Sequence, residues 1–221
     1  MKKFALPVAT AALLFASTSM YAGTIFSENF DELTPQGAVT SVGAFTAING
    51  TNVDVVGPGF FGELVVPPES GNAIDLGGSG GNPFGQLQSG GIALTGGDTY
   101  TLSFDLVGSQ RGLTTSTLVT LGTAGDLNSL YDTSFTLGSS DEAGTGGLVT
   151  FTFVAPSTET VYLGFTDTSD PDTANIGSLL DNVSITSSAS PIPEPSSLLM
   201  LGSGLMAFAG WSRRKLAARN L

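Results

Sequence analysis

Carboxylates are the only plentiful side chains in this sequence that could carry acid–base chemistry, because the 221-residue chain contains no histidine and no cysteine. Their absence excludes Ser-His-Asp and Cys-His nucleophilic sites, thiolate metal centres and disulfide bonds. Paired carboxylates most naturally serve glycoside hydrolysis. However, eighteen acidic residues fall within residues 23–190, so some pair will always look suitable. We therefore expect the protein not to be an enzyme, with a carboxylate-based glycoside hydrolase as the less favoured alternative.

One acid is singled out by its position in a strand pattern. The period of two places Asp181 on the same face as Leu179, Val183 and Ile185, which is the apolar face that a strand buries. A buried carboxylate is costly unless it is paired, and Arg111 is the only cationic residue between the two ends of the chain. The pattern predicts a bound cation at Asp181. Calcium suits best, because it binds carboxylate and carbonyl oxygens and is available outside the cell.

Two alternatives to this calcium site remain open. In the first, Asp181 lies at a β-bulge or accepts backbone hydrogen bonds and needs no metal. In the second, the metal binds an acidic loop, although such a run of charge is also typical of a solvated turn. The acids of that loop are Asp167, Asp170 and Asp172.

Exposed aromatic rings are the usual contacts of a sugar-binding surface. Trp211, the only tryptophan, lies in the C-terminal segment, which counts against sugar binding by the rest of the chain. Phe60 and Phe61 are flanked by proline and glycine in a predicted loop, where two adjacent large rings cannot both face one core. Together with Tyr131 they are the predicted ligand contacts. The alternative is that these rings pack under their own loops.

The seven basic residues are concentrated at the two ends of the chain, and only Arg111 lies between them. Residues 23–190 carry a net charge of −17, which excludes nucleic-acid binding because neutralising phosphates requires clustered Lys and Arg. At the N-terminus, Lys2 and Lys3, an apolar run and the small residue Ala22 predict a secretory signal peptide over residues 1–22. The expected partners of this segment are the secretion translocon and signal peptidase.

The C-terminus combines three features in order: Pro193-Glu194-Pro195, an uncharged run over residues 196–212, and the basic cluster Arg213-Arg214-Lys215. The uncharged run would form a helix of roughly 25 Å, close to the ~30 Å hydrocarbon core of a bilayer. The basic cluster predicts a cytoplasmic end. This order resembles the PEP-CTERM sorting signal of Gram-negative bacteria. The resemblance implies transient insertion of a transmembrane helix in the inner membrane, processing by an exosortase, and export to the cell surface or extracellular matrix.

Short strands dominate the prediction for the middle of the chain, because apolar and polar residues alternate there and turn signals recur at close intervals. The clearest strands cover residues 100–106, 149–153 and 161–165. About ten such segments predict an all-β fold, an antiparallel β-sandwich of the jelly-roll type over residues 23–188. The sorting signal then occupies residues 189–221.

Two short motifs resemble those of galactose-binding-like and carbohydrate-binding-module jelly rolls: Asn29-Phe30-Asp31 near the start and Asp181-Asn182-Val183 near the end. The resemblance implies a structural calcium between the first and last strands, held here by Asp31 and Asp181 with Asn29 or Glu28. We therefore expect an exported, non-catalytic protein of the cell surface or matrix that binds or associates with exopolysaccharide. The alternative is a passive structural matrix protein with no specific ligand.

Overall fold

The computed structural model describes residues 22–57, 60, 71–82, 84–171, 175–188 and 204. The chain divides into two units, and every described strand belongs to the unit Tyr21–Ser190. The other unit consists of Met1–Met20 and Pro191–Leu221 and, except for Gly204, lies outside the described residues. The predicted sorting helix and residues 1–20 of the predicted signal peptide belong to this unit, whereas Ala22, the last residue of the predicted signal peptide, begins the first strand. Within the described ranges, no helix is long and apolar enough to cross a membrane.

Fourteen β-strands, all paired antiparallel, form two sheets in the described part of the chain. Sheet A consists of β1 (Ala22–Glu28), β2 (Gln36–Val39), β5 (Val53–Val56), β6 (Ala73–Asp75), β9 (Thr99–Val107), β12 (Leu148–Val154) and β14 (Leu179–Ser188). Sheet B consists of β3 (Ser41–Val42), β4 (Phe45–Ala47), β7 (Gln86–Ser89), β8 (Ile92–Leu94), β10 (Thr115–Thr123), β11 (Asp126–Leu137) and β13 (Glu159–Asp167).

The two sheets pack face to face as a sandwich. The order in sheet A is β12-β9-β14-β6-β5-β2, and β1 also pairs with β14. The order in sheet B is β11-β10-β13-β7-β4-β3, and β8 also pairs with β13. Between the sheets, the ring of Phe104 lies 5.2 Å from that of Phe165 and 6.0 Å from that of Phe135, measured between centroids. The predicted antiparallel β-sandwich is confirmed, and the three clearest predicted strands are β9, β12 and β13.

A β-bulge interrupts the pairing of β14 with β9. Asp181 pairs with Asp105 and Ser184 pairs with Ser103, so β14 spans three residue steps where β9 spans two. Asn182 begins the bulge and has a φ of 49°, in the left-handed region that Asn adopts more readily than most residues.

This bulge reverses the strand parity on which the sequence prediction depended. Leu180, Val183 and Ile185 face the main core, whereas Leu179 belongs to a separate apolar cluster on the opposite face of sheet A. The prediction that Asp181 shares a face with Val183 and Ile185 is therefore wrong, because one extra residue intervenes. Asp181 lies on the face of Leu179, yet it is buried, with 2% of its surface exposed.

Candidate functional site

The bulge brings three polar side chains together on the side of sheet A that faces away from the main core. The Asn182 side-chain amide donates to Asp105 Oδ2 at 2.8 Å and to Asp181 Oδ2 at 3.3 Å. The Asn182 backbone N–H donates to Asp181 Oδ1 at 2.7 Å. Asp105 is 5% exposed, so two buried carboxylates share one amide. Asp181 thus lies at a bulge and accepts a backbone hydrogen bond, as the metal-free alternative stated.

Burial and the neighbouring charges disfavour ionisation of both carboxylates, Asp181 and Asp105, at the same time. Burial raises the pKa of Asp181 to about 7, an effect that the Asn182 N–H opposes and the charges of Asp31, Asp105 and Glu28 reinforce. Burial also raises the pKa of Asp105, although the Asn182 amide lowers it. A positive charge placed among these acids would therefore stabilise their ionised forms.

The structure brings the predicted ligands Asp31 and Asp181 close enough for the charge of one to act on the other. Asp31 Oδ2 accepts the Asn29 side-chain amide at 2.8 Å, and Oδ1 accepts the Asn72 N–H at 3.2 Å. All three predicted calcium ligands therefore lie around one site. We refer to Asp31, Asp105, Asp181, Glu28 and Asn182 as the acid cluster.

A cleft of about 480 Å³ opens beside the acid cluster. It is lined by the first and last strands and the residue after β1: Ser27, Glu28, Asn29, Asn182, Val183 and Ser184. The donors in and around it are carboxylate, amide and hydroxyl oxygens, which are the ligands that calcium takes, and each carboxylate keeps lone pairs beyond its hydrogen bonds. The chemistry of this donor set fits calcium. Within the described residues, no group of three or more Asp and Glu side chains is arranged so that it could hold a metal ion.

Arg111, the only cationic residue of the sandwich, is engaged elsewhere. Its Nη2 lies 3.0 Å from Oδ2 of Asp75, and its Nη1 donates to the Asn175 carbonyl at 2.8 Å. Asp75 is 1% exposed, and its Oδ1 accepts the N–H groups of Gly77 and Gly177. Burial raises the pKa of Asp75 to about 6, although Arg111 and these two N–H groups lower it.

The rival acidic loop follows β13. Asp167 is 5% exposed, and its Oδ1 accepts the N–H and hydroxyl of Ser169. Burial raises the pKa of Asp167, whereas the Ser169 hydrogen bonds lower it. Asp170 is exposed, and Asp172 lies outside the described residues. Oδ1 of Asp167 is therefore held by its own turn, whereas its buried Oδ2 has no hydrogen-bond partner among the described residues.

A row of aromatic rings lies along the open side of the sandwich, where the edge strands β11 and β12 approach each other. The rings of Tyr131 and Phe151 are 4.6 Å apart and inclined at 42°. The rings of Phe151 and Phe153 are 5.7 Å apart and nearly parallel, at 14°. All three side chains are half-buried, and Phe153 also stacks on the buried Tyr100. We refer to Tyr131, Phe151 and Phe153 as the aromatic seam.

Phe60, another predicted ligand contact, does not join the seam. Phe60 is half-buried, and its N–H donates to the Gly57 carbonyl at 3.0 Å, just after β5. In sheet A, β5 is four positions away from β12. Phe61 lies outside the described residues. The sequence reasoning missed Phe151 and Phe153, because alternation marks them as inward-facing and cannot show that β12 is an edge strand.

The face of sheet B that points away from the core also carries a half-buried aromatic ring, Tyr162 in β13. Its neighbours in the strand, Val161 and Leu163, are fully buried in the core, so Tyr162 must point outward. Gln88 and Thr120 lie on the same face, because both pair with Gly164, two residues further along β13. This face provides a second polar surface with which the seam can be compared.

Residues 191–215 match the PEP-CTERM protein-sorting motif. This match confirms the interpretation of the Pro-Glu-Pro triplet, apolar run and basic cluster. The chain is therefore a protein that is exported in an exosortase-dependent way and sorted at the membrane. A comparison with curated protein sequences finds no match.

Among solved structures, the sandwich is similar to carbohydrate-binding modules and adhesin domains. The CBM22-1 xylan-binding domain of Paenibacillus barcinonensis Xyn10C is 14% identical over 78% of this chain and 99% of that one, with a TM-score of 0.49. The family 22 module of Clostridium thermocellum Xyn10B is 16% identical over 77% and 98%, with a TM-score of 0.45. The K3 adhesin domain of Lys-gingipain from Porphyromonas gingivalis is 18% identical over 75% and 99%, with a TM-score of 0.46. These similarities concern the fold alone.

Proposed function

We propose that this chain is an exported, non-catalytic protein of the cell surface or matrix that binds exopolysaccharide at the aromatic seam. The observation that carries the proposal is the run of three half-buried rings along the open edge of the sandwich. Sugar rings present C–H faces that pack against aromatic rings, while their hydroxyls bond to polar groups nearby. The sorting motif supports a location where such polymers occur.

The geometry of the seam suits an extended chain more than a single small molecule. Phe151 and Phe153 are two residues apart in β12, and their rings stack on each other at 5.7 Å, so the exposed parts of the two rings form an apolar strip along the strand. Tyr131 continues this strip onto β11 of the other sheet and adds a hydroxyl. Thr133 faces the same side of β11, since it pairs with the core residue Val119, and adds a second hydroxyl. The seam thus combines apolar strips with hydrogen-bonding groups.

The proposal that the protein is not an enzyme rests on the burial of two neighbouring carboxylates, Asp181 and Asp105. Asp181 and Asp105 are 2% and 5% exposed and share the amide of Asn182. A glycosidase needs two carboxyl groups that flank a substrate bond, one to donate a proton and one to act as base or nucleophile. This buried pair does not present two such faces to a polymer.

The test replaces each phenylalanine of the seam with leucine, which removes the aromatic ring and keeps an apolar side chain of similar size. Phe151→Leu and Phe153→Leu should each cost less than about 1.5 kcal/mol of unfolding free energy, because the change nearly conserves volume. Polysaccharide binding should fall at least about tenfold, the loss expected when stacking worth about 1.4 kcal/mol disappears. Binding to polymers from the producing bacterium is measured by affinity electrophoresis and calorimetry.

Two matched variants make this test specific. Tyr162→Leu removes a half-buried ring from the outer face of sheet B and should leave the affinity unchanged. Phe60→Ala examines the loop contact that the sequence predicted. If both seam variants fold and bind as the wild type does, the seam is not the binding site. If the wild type binds no polymer, a passive structural matrix protein is the remaining assignment.

We also propose that the acid cluster holds a structural calcium ion, with Asp181, Asp31 and Asn29 as ligands. Two observations support this proposal. The pKa of Asp181 is raised to about 7 among like charges, and Arg111, which could have neutralised it, pairs with Asp75 instead. Calcium bound there would neutralise the buried carboxylate and join the last strand to the segment that follows the first.

A further inference from the structure

The charge of the sandwich limits the class of polysaccharide that the aromatic seam can hold. Residues 23–190 contain eighteen acids and one cation, Arg111. That guanidinium bonds to Asp75 and to the Asn175 carbonyl, so it is committed to the fold. The other six basic residues lie in the first three or the last nine residues of the chain. The sandwich therefore has no second cationic side chain with which to bind an anionic polymer.

Acidic groups also lie close to the seam itself. Asp132 follows Tyr131 in β11 and is exposed on the outer face of sheet B, since it pairs with Thr120, and its Oδ2 accepts the Asn128 amide at 2.8 Å. At one end of β12, the carbonyl of Asp98 accepts the N–H of Ala155, which places that acid beside the end of the strand. A polymer lying along Tyr131, Phe151 and Phe153 would extend towards the Asp98 end of β12, with Asp132 on the opposite face of β11. Uronate, sulfate or phosphate groups on such a polymer would be repelled.

The distance over which this repulsion acts becomes shorter as the salt concentration rises. The screening length is about 10 Å at 0.1 M ionic strength and about 30 Å at 0.01 M. At low ionic strength the whole charge of −17 therefore opposes an approaching polyanion, whereas at higher ionic strength mainly the nearest acids act. Stacking and hydroxyl contacts to an uncharged sugar have no such dependence on salt.

We infer that the ligand of the seam is an uncharged polysaccharide, one without uronate, sulfate, phosphate or pyruvate groups. This inference rests on the proposed function, because it names the ligand class of the same seam. It predicts both which polymers bind and how binding responds to salt.

The experiment measures affinity electrophoresis of the mature protein from its host in gels containing single polymers. Uronate-free arabinoxylan, β-glucan and mannan are the neutral probes, and alginate and polygalacturonate are the anionic probes. Each gel is run at about 10 mM and about 150 mM salt, in chelator and in millimolar calcium. We expect retention by at least one neutral polymer, equal at both salt concentrations within about twofold, and weaker for Phe151→Leu. We expect no retention by either anionic polymer.

The outcomes separate the two proposals. Retention by an anionic polymer, with or without calcium, that Phe151→Leu weakens would overturn the inference and support the seam as a binding site. Retention by an anionic polymer at about 150 mM salt alone, weakened by Phe151→Leu, would also overturn it, because the seam would then hold a charged polymer once the repulsion is screened. Retention by no polymer at all would overturn the proposed function, and the inference with it.

Discussion

Replacing Asp181 with asparagine separates the cost of a buried charge from the benefit of a bound cation. The asparagine side chain has nearly the same shape, and its amide oxygen can still accept the Asn182 N–H that now reaches Asp181 Oδ1 at 2.7 Å. The substitution removes the ionisable group from a position that is 2% exposed. It also removes the carboxylate that a calcium ion would need.

The magnitude follows from the pKa of Asp181, which rises from 3.8 to about 7 on folding. The folded state therefore holds this proton more tightly than the unfolded state, so the group destabilises the fold as it ionises. The penalty is absent below about pH 4, grows as the pH rises, and is complete above about pH 7. At about 1.4 kcal/mol per pKa unit, it reaches about 4 kcal/mol as an upper value.

The assay is urea denaturation of wild type and Asp181→Asn at pH 5 and pH 8, in chelator and in calcium. In chelator at pH 8, the variant should be more stable than the wild type by a few kcal/mol, and this advantage should shrink at pH 5. Calcium at about 100 times its dissociation constant should stabilise the wild type by about 2.7 kcal/mol and leave the variant unchanged. Asp126→Asn, at an exposed position of β11, is the control for the same change of charge.

Two results would contradict this reasoning. If Asp181→Asn is less stable than the wild type in chelator at pH 8, the ionised carboxylate stabilises the fold and the burial argument fails. If metal-free wild type unfolds at the same urea concentration with and without millimolar calcium, the calcium site is wrong. Asp75, whose pKa is raised to about 6, contributes the same pH dependence to both proteins and cancels in the comparison.

Two further predictions concern the buried ion pair and the maturation of the chain. Arg111→Met should lower the unfolding free energy by about 3–5 kcal/mol, because it leaves Asp75 buried without its cation. The double variant that also carries Asp75→Asn should recover part of this loss, as urea denaturation can measure. If Arg111→Met alone costs less than about 1 kcal/mol, the Arg111–Asp75 pair is not needed for stability. The mature protein should lack residues 1–22 and the residues beyond the Pro193-Glu194-Pro195 region, as intact mass from the native host can measure. Surface material that retains a C-terminus at Leu221 would contradict exosortase processing.

The sequence predicts the sandwich well because most of its strands bury every second residue. β9, β12 and β13 show this alternation over seven to nine residues, and each contains the segment predicted for it. β7 was missed because Leu87 is its only apolar residue and faces the core between two outward glutamines. β3 has two residues and cannot display a period at all. A strand with one apolar residue, or with two residues in all, therefore shows no alternation that the sequence can reveal.

The acid cluster shows a second limit of the sequence pattern, which is that it does not reveal the register between paired strands. The sequence marks Asp181 as a buried acid, and the structure confirms its burial. However, the face was wrong, because an extra residue at the bulge shifts every later side chain of β14. The local signal is Asn182, a residue type that tolerates a positive φ, but many asparagines occur in regular strands. Only the pairing with β9 identifies this one as a bulge.

The aromatic seam and the acid cluster share one structural support, β9. This strand pairs with β14 on one side and β12 on the other, and Asp105 is the partner of both Asp181 and Leu148. Within the described residues β12 pairs only with β9, so the position of Phe151 and Phe153 depends on that strand. Asp181→Asn and Phe151→Leu therefore alter the two opposite neighbours of β9. If their effects on glycan affinity add, the sites act separately. A departure from additivity beyond about 0.5 kcal/mol would show that β9 couples them.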